Sequence, residues 1–270
     1  MICIAACQLK LDVLNSAECR SVATAAILQA IRNGAEIIVL PELCNSGYCF
    51  LDMNEVVASA ATLDDELMRN WVEIARENKV VIIAGINLYE SEKYWNASVI
   101  IDEGGLVGWY AKVHLFGDEG KFFTPGDLPP LVVDTSKGRI ATMICYDIEF
   151  PEWVRLAMLD EAQLLAVPTN WPWMGQIPTT PPMEVVRVQA AASQNKLVIA
   201  AADRSGEERG LSWVSASVIT NDEGVIQSIA TTSAQIIYSS VSLPTDRVIS
   251  DKNDIRGDRR PALYSRILNQ

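Results

Sequence analysis

Residues 35–41, AEIIVLP, can be laid on residues 162–168, AQLLAVP; residues 78–84, NKVVIIA, on 195–201, NKLVIAA; and NASVIIDEGGLV from Asn96 on SASVITNDEGVI from Ser215. The matches fall in the same order in both halves and share Pro, Asn-Lys and Ala-Ser punctuation, which chance alignment of apolar runs does not supply. Extended backwards, ICIAACQ at 2–8 lies on IATMICY at 140–146, which gives Cys145 the strand-end position that Cys7 holds in the first half. Apolar runs of strand length alternate with amphipathic stretches, the pattern of an α/β protein, and two such halves predict paired sheets with helices outside.

The pattern predicts strands near 2–8, 36–40, 79–85, 95–101, 106–111, 139–145, 163–167, 196–202, 213–220 and 224–230, with helices near 17–33, 64–78, 151–160 and 182–194. Asn33-Gly34 ends the first helix, and Pro151 suits the first turn of the third, with Glu152 at the positive end of its dipole. Residues 171–182 form a proline-rich loop. A length of 270 residues fits one domain with one large core, and 246–270 reads as a polar C-terminal tail.

The formal charge of −12 argues against nucleic acid or an anionic membrane as partner, because both need a basic surface. Apolar runs such as AEIIVL stop well short of the roughly 18 residues of a membrane span, and MICIAACQLK has no basic flank before its apolar stretch. A cytoplasmic protein is expected. The six cysteines then read as free thiols in a reducing compartment.

One histidine, His114, removes many mechanisms: there is no GxSxG elbow, no His-rich zinc site and no glycine-rich phosphate cradle. A nucleophilic thiol in so histidine-poor a chain needs a carboxylate as its proton acceptor. Cys145 ends an apolar run and is followed at once by Tyr146, Asp147 and Glu149; Glu42 follows AEIIVLP directly; Lys112 ends GLVGWYAK. A carboxylate in a dry cleft has its pKa raised toward that of a working base, and a cation beside it stabilises an oxyanion. Taken singly, each residue has an ordinary reading: a buried cysteine, a helix cap, a surface lysine. Three reactive groups at three strand ends form a pattern that none of them forms alone.

PELCNSGY, AKVHLFGDEGKFFTPG and MICYDIEFPE resemble, in order and spacing, the three signature segments of the nitrilase superfamily of carbon-nitrogen hydrolases. The resemblance covers almost the whole chain. It implies a four-layer α-β-β-α sandwich with internal pseudo-twofold duplication and a Glu42-Lys112-Cys145 triad, assisted by Glu119, with the Tyr146 N–H as second oxyanion donor. Tyr48, Asn170 and Trp173 fall where such enzymes approach substrate, and His114 falls at a structural position. One departure is Ser215, where the family has a glycine before the second SVI strand. No cofactor is implied, since the thiol does the covalent work. A homodimer or larger homo-oligomer is expected, with Leu263 and Tyr264 as apolar anchors of the tail.

The triad serves amides, nitriles and carbamoyl groups alike. CYDIEFPE resembles amidase members, and Glu149 is the wrong charge for a carboxylate-bearing substrate if it faces the pocket. A small neutral or amine-bearing amide is therefore favoured. Arg187, Arg204 and Arg209 keep ω-amidase and N-carbamoyl amino acid hydrolysis open. The rival classes are an inactive binding or scaffold protein and a thiol metal site built from Cys3, Cys7, Cys44 and Cys49.

Overall fold

The computed structural model of the chain describes residues 1–175 and 177–268. The first half supplies β1 (Ile2–Lys10), β2 (Ile37–Val39), β3 (Val81–Glu90), β4 (Lys93–Asp102) and β5 (Gly105–Ala111). The second supplies β6 (Leu131–Thr135), β7 (Gly138–Thr142), β8 (Leu164–Pro168), β9 (Val198–Ala202), the short β10 (Arg204–Ser205), β11 (Glu207–Glu208) and β12 (Leu211–Ser212), then β13 (Val218–Thr220), β14 (Ile226–Ile229) and β15 (Gln235–Val241). One sheet has the order β10-β1-β2-β3-β4-β5, with β15 also on β1; the other runs β14-β13-β9-β8-β7-β6. The main helices are α1 (Ser16–Arg32), α2 (Met53–Ser59), α3 (Glu66–Asn78), α4 (Pro151–Leu159) and α5 (Met183–Asn195).

Successive strand side chains point to opposite faces, so each apolar run feeds two layers. Ile4, Ile37, Val39 and Ile83 of the first sheet meet Ile140, Leu164, Val198 and Ala200 of the second in a layer between the sheets. Their neighbours Ala5, Ile38 and Ile82 face Ala23, Ile27, Met68 and Trp71 of α1 and α3. Ala141, Leu165 and Ile199 face Val154, Met158, Val185 and Val188 of α4 and α5. The layer order is α-β-β-α, as the resemblance implies.

The pairing registers test the repeat residue by residue. Ala84 faces Val99 across β3–β4, and Ala201 faces Val218 across β9–β13, as the sequence alignment of the two halves requires. The first strand is the exception. Ile4 pairs with Ile37 and Ile140 pairs with Leu164, so Ile4 matches Ile140 and Cys145 falls at the place of Leu9, two residues beyond Cys7. Short Ala/Ile runs slide by two without changing which face is apolar, and local sequence does not resist that slip.

Two expected strands are shorter than the sequence indicated. The run 139–145 ends at Thr142, and within 213–220 the sheet strand is Val218–Thr220, with Trp213 forming an isolated bridge to Pro172. β6, β15 and α2 were not anticipated; β15 crosses back from the second half to pair antiparallel with β1 over Ile2–Gln8. The segment from residue 246 contains a hairpin of β16 (Val248–Ser250) and β17 (Asn253–Asp254), then a short helix α6 (Ser265–Leu268). Among the described residues no helix is long and apolar enough to cross a membrane.

Ser215, which stands where a glycine was expected, adopts φ +58°, in the left-handed region. Its hydroxyl donates a 3.3 Å bond to the Trp213 carbonyl. A left-handed non-glycine residue costs on the order of 1 kcal/mol, of which that bond returns a part. Ser215→Gly is expected to raise unfolding free energy by about 0.5–1 kcal/mol in denaturant titration. A destabilised variant would show that the hydroxyl outweighs the strain.

Candidate active site

Glu42 follows the last residues of the β2 run at a tight approach to β3. A Cβ at Gly85 would lie 2.4 Å from the Glu42 Cα and 2.7 Å from the Pro41 carbonyl, so only glycine lets the two backbones come this close. The Gly85 carbonyl accepts the Cys44 N–H at 2.8 Å, which fixes the turn beyond Glu42. Lys112 directly follows β5, its N–H bonded to the Asn96 carbonyl and its own carbonyl accepting the Gly126 N–H. Glu119 sits on a 3-10 turn, Gly117–Lys121, where its Oε2 accepts the Phe116 N–H at 3.1 Å. Cys145 opens another such turn, Cys145–Glu149, with φ +46°. The first bond of that turn runs from Asp147 N–H to the Ile144 carbonyl, which leaves the Tyr146 N–H ahead of the pattern.

The folded chain brings these side chains together below the surface: Glu42 and Lys112 are 0% exposed, Glu119 5% and Cys145 6%. Lys112 Nζ donates to Glu42 Oε1 at 2.6 Å and to Glu119 Oε1 at 2.7 Å. Tyr48 donates its hydroxyl to the same Glu119 oxygen at 2.6 Å, and Asn96 Nδ2 donates to Glu42 Oε1 at 2.7 Å. Among the described residues Glu42 Oε2 is buried without a partner. The Cys145 thiol donates a 3.6 Å bond to the Asn170 carbonyl, while Asn170 Nδ2 donates to the Glu42 carbonyl at 3.0 Å.

Two carboxylates share one ammonium, and the charge states follow. Burial opposes the charge of Lys112, but Glu119 and Glu42 outweigh it and raise its pKa, so it stays an ammonium. Burial raises Glu42 to about 7 against the pull of Lys112, with the Glu119 charge adding to the rise. Burial, then the Glu42 charge, lifts the Cys145 thiol well above its ordinary value, with Lys112 opposing. At rest the sulfur is therefore a thiol beside a carboxyl that exchanges its proton near neutrality.

Other polar residues hold this arrangement and carry no signal in the sequence that singles them out. Asp147 Oδ1 accepts the His114 N–H at 2.9 Å and lies 2.7 Å from His114 Nδ1; Oδ2 accepts the Ile144 N–H at 3.0 Å and the Tyr110 hydroxyl at 2.8 Å. It thus ties the Cys145 turn to the strand end that carries Lys112. His114 stacks on Phe150 with ring centroids 3.8 Å apart, in keeping with the structural position that the resemblance implies. Asp203 accepts the N–H groups of Trp171, Arg204 and Ala216 and so fixes the segment that follows Asn170.

Tyr48 lies edge-on to Trp213 at 5.4 Å, and Tyr146 packs against Phe116 and Phe150. Trp173 stands 41% exposed on the proline-rich loop, anchored by its N–H to the Ser212 carbonyl. The three candidate arginines are all engaged: Arg204 with Glu208, Arg209 with Glu55, and Arg187 with Glu149 and Glu184. Cys7, Cys19 and Cys44 belong to the layer between the first sheet and its helices, and Cys49 lies beside Glu208. Among the described residues no three His, Cys, Asp or Glu side chains are placed to hold a metal ion.

A sequence model of the carbon-nitrogen hydrolase family matches residues 3–248. The chain belongs to that family. A nitrilase of Pyrococcus abyssi is 33% identical over 270 residues, 98% of this hydrolase and 100% of its own chain. The omega-amidase YafV of Escherichia coli K12 is 30% identical over 205 residues, 74% of each chain. An amidase from Nesterenkonia sp. AN1, in a mutant whose active-site cysteine has added acrylamide, matches with a TM-score of 0.80 at 25% identity, covering 99% of this chain and 100% of its own. A cysteine-to-alanine mutant of the same amidase, in complex with butyramide, matches with a TM-score of 0.79 at 26% identity over 98% of this chain and 96% of its own.

Proposed function

We propose that this hydrolase converts small neutral carboxamides to carboxylate and ammonia through a thioester on Cys145. The observation that carries the reading is the buried Lys112 ammonium between Glu42 and Glu119, with the second oxygen of Glu42 unpaired. Glu42 takes the Cys145 proton as sulfur attacks the amide carbon. The C=O π electrons pass to oxygen, where Lys112 Nζ and the Tyr146 N–H hold them. Such donors are typically worth about 3–4 kcal/mol of barrier. Collapse of the adduct breaks the C–N bond while Glu42 gives its proton to the leaving nitrogen. Water then attacks the thioester carbon, passing a proton to Glu42, which returns it to sulfur as the C–S bond breaks and the acid departs.

The preference for neutral amides rests on the cations. Arg204, Arg209 and Arg187 each face a carboxylate, so a carboxylate-bearing substrate meets no unpaired positive charge among them. Butyramide in the Nesterenkonia amidase is a substrate-sized molecule of the class proposed. The test is ammonia release from acetamide, propionamide and butyramide, set against succinamate, N-carbamoyl amino acids and nitriles. Butyramide is expected to exceed succinamate by about tenfold or more in kcat/KM, the order of cost of desolvating an unpaired charge. The reverse order would mark an ω-amidase, and a nitrile as best substrate would mark a nitrilase. No release from folded protein with any compound would favour a binding role.

A further inference from the structure

We propose that Glu208 is a positioning residue of this site, holding Tyr48 so that its hydroxyl completes the anion that fixes Lys112. Glu208 is buried and belongs to the short hairpin after Arg204, far in sequence from Val13, Tyr48 and Cys49, which it meets. Its Oε1 accepts the Val13 N–H at 2.7 Å and Arg204 Nη2 at 2.9 Å. Its Oε2 accepts the N–H groups of Tyr48 at 3.0 Å and Cys49 at 2.7 Å, with Arg204 Nη1 at 3.3 Å. Five donors on one carboxylate define both the position and the orientation of the Tyr48 backbone.

The approach to this carboxylate is shaped for it. A Cβ at Gly47, φ +83°, would lie 2.6 Å from Glu208 Oε1 and 2.5 Å from the Val13 Cα, so glycine alone admits the carboxylate here. The guanidinium that pairs with Glu208 lies over the Trp213 ring, 4.5 Å from its centroid, and that ring meets Tyr48 edge-on. Tyr48 is thus held at its backbone by Glu208 and at its ring by Trp213. Its hydroxyl reaches Glu119 Oε1, the oxygen that also takes Lys112 Nζ. A buried ion pair contributes little to stability over an apolar substitute, so its use here is read in geometry.

The inference rests on the thiol-hydrolase reading, and the test separates the two. Glu208→Gln keeps shape and volume but aims an amide NH₂ at N–H donors whichever way it is turned. Wild type, E208Q, Y48F and the double variant are compared by the rate at which acrylamide alkylates Cys145, followed by peptide mass, and by kcat and KM for butyramide. Each single variant is expected to lose about tenfold in alkylation rate and about 10–100-fold in kcat, with KM changed by less than about threefold. The double variant is expected to fall within about twofold of the weaker single one, because both act through one hydroxyl. Multiplying losses, or wild-type alkylation by E208Q, would overturn the proposal. Butyramide left intact by wild type itself would fail the amide reading alone, since alkylation still ranks the variants. Should E208Q not fold, Trp213→Leu takes its place in the same cycle, and independent losses there would overturn the proposal equally.

Discussion

Cys145→Ala is expected to fold like the parent and to lose turnover by about 10⁴-fold or more, the scale seen when a covalent nucleophile is removed. Its sulfur is the atom that the proposed chemistry bonds to carbon, and the other thiols lie elsewhere: Cys7 and Cys44 point into the layer under α1 and α3, and burial alone raises Cys7 to about 12. Alanine keeps the φ of +46° and removes one sulfur atom with its bond to the Asn170 carbonyl. The change in unfolding free energy is therefore expected within about 1 kcal/mol. Because Glu42 and Glu119 are held by Lys112 and not by the thiol, the variant should still bind butyramide, measurable by calorimetry. Ammonia release within about tenfold of wild type would remove the thioester from the mechanism.

Much of this molecule was legible because it is repetitive. The runs around Ile37, Val81, Leu164 and Val198 are apolar on both faces, as central parallel strands must be, and their shared punctuation exposed the duplication. Glu42, Lys112, Glu119 and Cys145 were found through three segments whose wording is specific, and the structure gathers them. The residues that hold the gathering were not legible. Asn96 lies within an apolar strand run, Asp147 is one of the polar residues that follow Cys145, and Glu208 is one acid in GEERG. Each acquires its meaning from a partner 33 to 195 residues away. A single-sequence reading has no term for such partners, since a polar residue among apolar ones reads the same whether it is satisfied or exposed. β15 was missed for a related reason: its pairing with β1 joins the second half to the first sheet, and no local period encodes that.

Glu42→Gln should separate the cost of this site from its use. Turnover is expected to fall by about 10²–10⁴-fold, the usual worth of a positioned acid-base group, and the wild-type rate should show an acidic limb near pH 7, where Glu42 loses its proton. Stability should move the other way. The ordinary value of 4.5 is raised to about 7 in the fold, chiefly by burial, so between those values the native state holds a proton that the unfolded chain has released. Unfolding free energy then decreases as pH rises through that window, by at most about 3 kcal/mol from this group. Glutamine does not titrate. E42Q should therefore melt close to wild type near pH 5 and above it near pH 8. Asp203, raised by burial to about 7, adds a slope of the same sign to both proteins and cancels in the comparison. Should wild type instead gain on E42Q as pH rises, Glu42 would be an anion held by Lys112 at rest. Its unpaired oxygen would then face the thiol already deprotonated at pH 5, and the acidic limb of the rate would belong to another group.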